Sequence, residues 1–131
     1  AEIYVDGSFD VRTGKFGCGV VILYKGEVIT LKHGYDDPAS AELRNVAGEV
    51  MGAVNAIRYC QEHDIDEVYI YHDYNGDDEW KANLPLTRKY KQFVADARKN
   101  MKIVFIKVEA HTGVKYNEMA DRLAKDAIGL F

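Results

Sequence analysis

The chain has 131 residues, of which 47% are hydrophobic and 29% charged, so it is neither disordered nor collagen-like and has room for one ordinary domain. The formal net charge of -4 argues by itself against a polyanionic partner. No apolar run approaches the roughly 20 residues that span a bilayer, and no leader pattern is evident, so we expect a cytoplasmic protein with no membrane partner. Because the chain begins with Ala, we expect it to be processed or part of a longer protein.

A period-two pattern of apolar residues predicts three antiparallel strands at the start of the chain. These strands cover residues 2–6, 15–24 and 27–35. The first would end at Asp6 and be followed by a turn at Gly7 and Ser8, and a tight turn would join the other two. Short connections of this kind predict a meander.

The rest of the chain alternates helical patterns with two short strands. The helical patterns cover residues 40–62, 86–99 and 117–128, and the strands cover 67–72 and 102–108. A short helical turn is predicted from Gly76, and Pro85 would interrupt the chain before the second long helix. The last strand is apolar on both faces, which predicts that both are covered. We therefore expect one α/β domain over 1–131 with a mixed sheet, antiparallel first and parallel later.

Four acidic residues occupy positions that fold building does not require. Asp6 and Asp73 end two strands, Glu49 lies beside the apolar stripe of a helix, and Asp121 follows a core position in the last helix. If the first and fourth strands are parallel neighbours, Asp6 and Asp73 project from one edge of the sheet. Clustered carboxylates repel unless a cation neutralises them, and oxygen ligands suit Mg²⁺ or Mn²⁺ better than zinc. Taken singly, each acid is better explained as a cap, a turn former or a rim residue, and only the set as a whole indicates a metal site.

A histidine and a basic segment are the other features that suggest chemistry. His111 lies in a loop before the last helix, whereas His33, His63 and His72 have no such context and are expected to be structural or exposed. Residues 81–107 hold eight Lys and Arg residues against a single acid, which indicates either a contact for a polyanion or a solvated helix face. The two cysteines have neither disulfide nor zinc spacing, so we expect buried thiols.

Together these motifs resemble type 1 ribonuclease H in its short form, and the resemblance spans essentially the whole chain. It rests on four separated motifs in order: Tyr4 to Ser8, Asn45 to Glu49, Tyr71 to Asp73, and His111 to Asp121. The resemblance implies a ribonuclease H-like α/β fold, in which a five-stranded mixed sheet is flanked by helices. It also implies an endonuclease that cleaves the RNA strand of RNA–DNA hybrids into 5′-phosphate and 3′-hydroxyl ends. Two Mg²⁺ ions, replaceable by Mn²⁺, would serve as cofactors, and we expect a monomer.

The resemblance also assigns roles to individual residues. The residues matching the family's metal-binding carboxylates are Asp6, Glu49, Asp73 and Asp121. His111 would assist proton movement or product release. Residues similar to the family's substrate contacts are Gly7 and Ser8 near the cut, Asn45 in the hybrid minor groove, Thr112 at a DNA phosphate, and Asn117 beside the metals. The charge of the basic segment, rather than the resemblance, suggests that Arg88 and its neighbours would follow the phosphates of the DNA strand.

The sequence departs from the family pattern at Arg44, where a small hydroxyl residue is common, so the pocket for the DNA phosphate is in question. Two other functions stay open at this point. A nuclease or strand-transfer enzyme of the same fold would act on DNA with the same carboxylates. A non-catalytic module would bind hybrids but would have no use for four mutually repelling acids.

Overall fold

The computed structural model describes residues 1–36, 45–72, 85–108 and 115–130. Within these ranges five strands and three helices follow one another along the chain. In order they are β1 (Glu2–Phe9), β2 (Phe16–Tyr24), β3 (Glu27–Tyr35), α1 (Asn45–Glu62), β4 (Glu67–His72), α2 (Pro85–Ala97), β5 (Lys102–Lys107) and α3 (Lys115–Ala127). The start predicted for the long helix and the turn predicted from Gly76 lie outside the described residues.

The five strands form one sheet in the order β3-β2-β1-β4-β5. The first three strands pair antiparallel, while β1 pairs with β4, and β4 with β5, in parallel. The β1–β4 register places Ile3 beside Ile70 and Tyr4 beside Tyr71. The predicted mixed sheet is therefore confirmed, as is the parallel neighbourhood of the first and fourth strands. None of the described helices is long and apolar enough to cross a membrane.

Helices cover both faces of the sheet. Gly52 of α1 faces Val5 and Val20, while Tyr116 of α3 lies with its ring centroid 5.8 Å from that of Tyr4 on the opposite face. Helix α2 packs on α1. The largest fully buried side chains of the resulting core include Ile3, Val5, Phe16, Val20, Ile22, Ile57 and Ile70. Cys18 and Cys60 are buried free thiols, as predicted, and burial raises the pKa of Cys60 to about 11.

The turn predicted at Gly7 and Ser8 is wrong, because β1 continues through both residues to Phe9. Glycine and serine are poor strand formers when taken alone. Here their backbones pair with Cys18 and Gly17 of β2, and this ladder overrides the local preference. The chain reverses only after Asp10.

Two other predictions need correction. Pro85 is the first residue of α2 rather than an interruption before it, since proline is tolerated in the first turn where its missing N–H has no partner to lose. Strand β5 was expected to be covered on both faces, yet it is an edge strand in which Val104, Phe105 and Ile106 are only half-buried. The apolar residues at alternating positions of β5 therefore do not mean that both faces of this strand are fully covered.

The loop after β1 leads to a prediction for acid pH. Asp10 is buried, and its Oδ1 accepts the N–H of Arg12 at 2.9 Å, which lowers the pKa of the carboxyl below its ordinary value of 3.8. A carboxyl with a lowered folded-state pKa adds stability above its unfolded pKa and loses it as the pH falls through the folded value. Lowering the pH from 5 to about 2 should therefore reduce the unfolding temperature of the native chain more than that of the non-titrating variant Asp10→Asn. Parallel curves for the two proteins would contradict this.

Candidate active site

Asp6 lies between the sheet and α3. Asp6 follows Val5 on β1, so the two side chains lie on opposite faces of the sheet. Asp6 is only 8% exposed, and its Oδ1 accepts the N–H of Gly7 at 2.9 Å. The residue opposite Asp6 on β2 is Gly19, where any Cβ would collide with the carbonyl oxygen of Ala120 on α3. Helix α3 therefore meets the sheet backbone beside Asp6, and only a glycine allows this approach.

Glu49 lies in the second turn of α1 and is 2% exposed. Its neighbour Gly48 packs directly on the sheet, since a Cβ there would lie 2.8 Å from Cα of Gly7 and collide with the carbonyl oxygen of Gly17. The backbone of α1 thus touches β1 at the residue that follows Asp6. The residues that follow Asp6 and precede Glu49 are therefore in direct contact, and both carboxylates are buried.

His72 was given no functional role in the sequence analysis. It was expected to be structural or exposed, but it ends β4 with a side chain that is 16% exposed and places Nδ1 3.9 Å from Oε1 of Glu49. The one available signal was its position at a strand end, immediately before Asp73.

Helix α3 carries two further predicted residues on one face, since Asn117 and Asp121 are four positions apart. Asn117 is 5% exposed, and within the described part of the chain its Oδ1 has no hydrogen-bond partner. Asp121 lies nearer the rim, with a side chain 37% exposed and Oδ2 3.0 Å from Nζ of Lys125. The buried amide oxygen and the rim carboxylate both belong to the helix that packs beside Asp6.

The family model described as RNase H matches residues 1–129. The chain belongs to the RNase H family. Its enzyme class is accordingly ribonuclease H, and the resemblance seen in the sequence is confirmed. Ribonuclease H from Brucella anthropi is 30% identical over 99% of this chain and 90% of its own length. Ribonuclease HI from a Synechocystis species is 33% identical over 93% of this chain and 83% of its own length.

Solved structures of RNase H proteins share the fold. RNase H1 from the archaeon Halobacterium salinarum superposes with a TM-score of 0.76 at 18% identity, covering 99% of this chain and 98% of its own. LC11-RNase H1, solved in complex with an RNA/DNA hybrid, gives a TM-score of 0.76 at 20% identity and covers 98% of this chain and 96% of its own. At these identities the likeness establishes the RNase H architecture.

Several residues that match the RNase H motifs lie where the structure makes no statement about their side chains. Asp73, His111 and Thr112 are outside the described residues, and the side chain of Asn45 is likewise not described. Ser8 is buried in β1 and Gly7 half-buried, whereas Arg88 is exposed on α2. Their assigned roles stay predictions.

The oxygen atoms at this site fit a hard divalent cation, although no three His, Cys, Asp or Glu side chains within the four described ranges form a metal-binding group by themselves. The buried carboxylates of Asp6 and Glu49 are the ligand type that Mg²⁺ prefers. A buried amide oxygen without a partner, as at Asn117, is uncommon in a folded protein and is satisfied by a bound ion or water. The chemistry of the donors therefore agrees with the metal that RNase H membership implies.

Proposed function

We propose that this chain is a metal-dependent endonuclease that hydrolyses the RNA strand of RNA–DNA hybrids and leaves 5′-phosphate and 3′-hydroxyl ends. The observation that supports it most directly is the placement of two buried carboxylates, Asp6 and Glu49, on β1 and α1 where Gly48 meets Gly7. Burial of a carboxylate costs free energy, and a bound divalent cation would offset that cost for both residues. We further propose that residues 1–131 act as a single catalytic domain, monomeric and cytoplasmic.

Asp73 is proposed as the third carboxylate of the site. Strand β4 runs parallel to β1 with Tyr71 beside Tyr4, and it ends at His72, next to Glu49. Continuing the parallel register by two residues beyond the Tyr4–Tyr71 pair would place Asp73 beside Asp6. Asp121, which Lys125 neutralises in this structure, is proposed as the fourth.

These four acids would hold two divalent ions, Mg²⁺ or Mn²⁺. At a phosphodiester such a pair supplies charge neutralisation, a more acidic water and stabilisation of the leaving oxygen. The residues of the chain would supply the rest. The amide of Asn117 would orient groups at the site from α3, and His111 would carry a proton to or from the reacting oxygens.

Recognition of the RNA strand is assigned to the start of α1. Asn45 lies one helical turn before Glu49, so both belong to one side of the helix. An amide there would meet the minor groove, where RNA displays its 2′-hydroxyl groups. Gly7 and Ser8 would lie near the cut, and Thr112 would hold a phosphate of the DNA strand.

The decisive experiment is cleavage of a duplex labelled on its RNA strand, with Mg²⁺ and with chelator. Cleavage of the hybrid in Mg²⁺, its loss in chelator, and intact DNA–DNA and RNA–RNA controls of the same sequence are expected. Phosphatase treatment and primer extension of the products test the two ends. Binding of the hybrid without cleavage would make the chain a non-catalytic module, and cleavage of the DNA duplex would make it a DNA-acting nuclease.

A further prediction concerns the basic segment, which would follow the phosphates of the DNA strand. Arg88, Lys89 and Lys91 are exposed on α2. Their replacement by glutamine is expected to weaken binding to every duplex and to flatten the slope of log affinity against log salt by about 0.9 for each phosphate that is no longer neutralised. Phosphates look alike on both strands, so discrimination between hybrid and DNA should not change.

The matched control neutralises three exposed lysines of the meander. They are Lys15, Lys25 and Lys32. This control changes the net charge equally, so it separates a local contact from a general charge effect. An unchanged salt slope in the α2 variant, or an equal change in both variants, would make the basic segment a solvated face.

A further inference from the structure

Glu49 of α1 and three side chains from other elements form a chain of contacts. His72 ends β4 with Nδ1 3.9 Å from Oε1 of Glu49. The rings of His72 and Tyr90 both stand edge-on to the ring of Phe105, with centroids 6.3 Å and 6.4 Å away. Phe105 of β5 therefore contacts both polar rings, and the ring of His72 also lies against the carboxylate of Glu49.

Tyr90 joins this cluster from α2 through its contact with Phe105. Tyr90 lies on α2 and is buried, and the pKa of its phenol is raised first by burial and next by the negative charge of Glu49. Together with its contact to Phe105, this effect places Tyr90 on the side of the cluster that Glu49 faces electrostatically. Among the described residues, His72 of β4 lies 3.9 Å from the carboxylate, and the charge of the carboxylate contributes to the raised pKa of Tyr90 on α2.

We propose that His72 and Tyr90 are positioning residues, which hold the Glu49 carboxylate in the orientation required for a divalent metal ion. The inference rests on the proposed function, because it concerns the geometry of one proposed ligand. A ligand with several free rotamers binds a cation weakly, whereas polar partners that fix its direction typically contribute about 10–100-fold in affinity or activity. Neither residue touches the substrate in this account.

Three substitutions separate positioning from packing. His72→Asn keeps a polar atom at the place of Nδ1, His72→Phe keeps a ring against Phe105 without that atom, and Tyr90→Phe removes a single oxygen. Mg²⁺ binding to the free protein is measured by titration calorimetry, together with the Mg²⁺ dependence of hybrid cleavage. Unfolding temperature is followed in parallel. A matched control is Tyr69→Phe, which removes a hydroxyl that contacts Glu67 on the same strand, away from the site.

We expect His72→Phe and Tyr90→Phe to weaken Mg²⁺ binding by about 10–100-fold with little loss of unfolding temperature. His72→Asn should recover most of the affinity, and Tyr69→Phe should bind like the native chain. Native affinity in His72→Phe, or an equal loss in His72→Asn and His72→Phe, would overturn the proposal. If the His72 variants fail to fold, the Tyr90→Phe result decides.

The outcome is distinguishable from failure of the proposed function. A native chain that binds no Mg²⁺ and cleaves no hybrid would refute the enzyme itself. A native chain that does both, with variants that bind Mg²⁺ as it does, would refute only the positioning role.

Discussion

Asp6→Asn is expected to lower the rate of hybrid cleavage by several orders of magnitude while leaving the fold and hybrid binding in place. The amide keeps the shape of the side chain but removes a negative charge that, in the proposed function, would help to hold a divalent metal ion. Asp6 is buried between the sheet and α3, so the loss of its charge also relieves a desolvation cost. Unfolding temperature should therefore stay level or rise. Single-turnover cleavage and equilibrium binding of the hybrid measure the two effects separately.

Asp10→Asn is the matched control, because Asp10 is a second buried acid a few residues along the same chain segment. Its carboxylate serves the loop, where it accepts the N–H of Arg12. This variant should lose stability and keep near-native cleavage, which is the reverse of the Asp6 result. Near-native turnover in Asp6→Asn would remove Asp6 from the active site.

Gly48→Ala should have the second largest effect, and it should act on both stability and rate. An added Cβ would collide with the carbonyl oxygen of Gly17 and crowd Cα of Gly7, so α1 must move away from the sheet. Such overpacking costs about 1–3 kcal/mol of unfolding free energy. Because Glu49 is the next residue, a displacement on the order of 1 Å would also lower cleavage by about 10²-fold.

The control lies one turn further along the same helix. At Gly52 an added Cβ would make ordinary contacts of 3.4 Å with Cys18 and Val5. Gly52→Ala should therefore keep full activity and gain up to about 1 kcal/mol from helix propensity. Urea unfolding and cleavage rates of the two variants give the comparison. Equal behaviour of both would show that the contact between α1 and β1 does not position Glu49.

Much of the architecture was predictable because the relevant signals are local. The alternation over residues 2–6 predicted β1, and the tight turn after Tyr24 joins β2 to β3 as expected, with Lys25 and Gly26 at positive φ. The order of strands and helical patterns was enough to predict a mixed sheet. Where local preference and pairing disagreed, as at Gly7 and Ser8, the partner strand decided, and no single-strand pattern contains that information.

For the candidate site, too, some features were predictable from the sequence and others depended on the fold. Sequence alone indicated that Asp6, Glu49, Asp73 and Asp121 belong together, since acids beside core positions are costly and their spacing resembles that of ribonuclease H. It also indicated a polar role for Asn117, which lies buried on α3.

Only the tertiary structure could reveal that His72 lies against Glu49 and that Tyr90 shares Phe105 with His72, because these residues come from elements that are distant from one another in the sequence. It also decided how α1 reaches β1. The type of a residue determines the free energy of burying its side chain, and this can be read from the sequence. Which groups share that burial depends on strand register and on glycines such as Gly48, which let backbones touch, and these are properties of the whole fold.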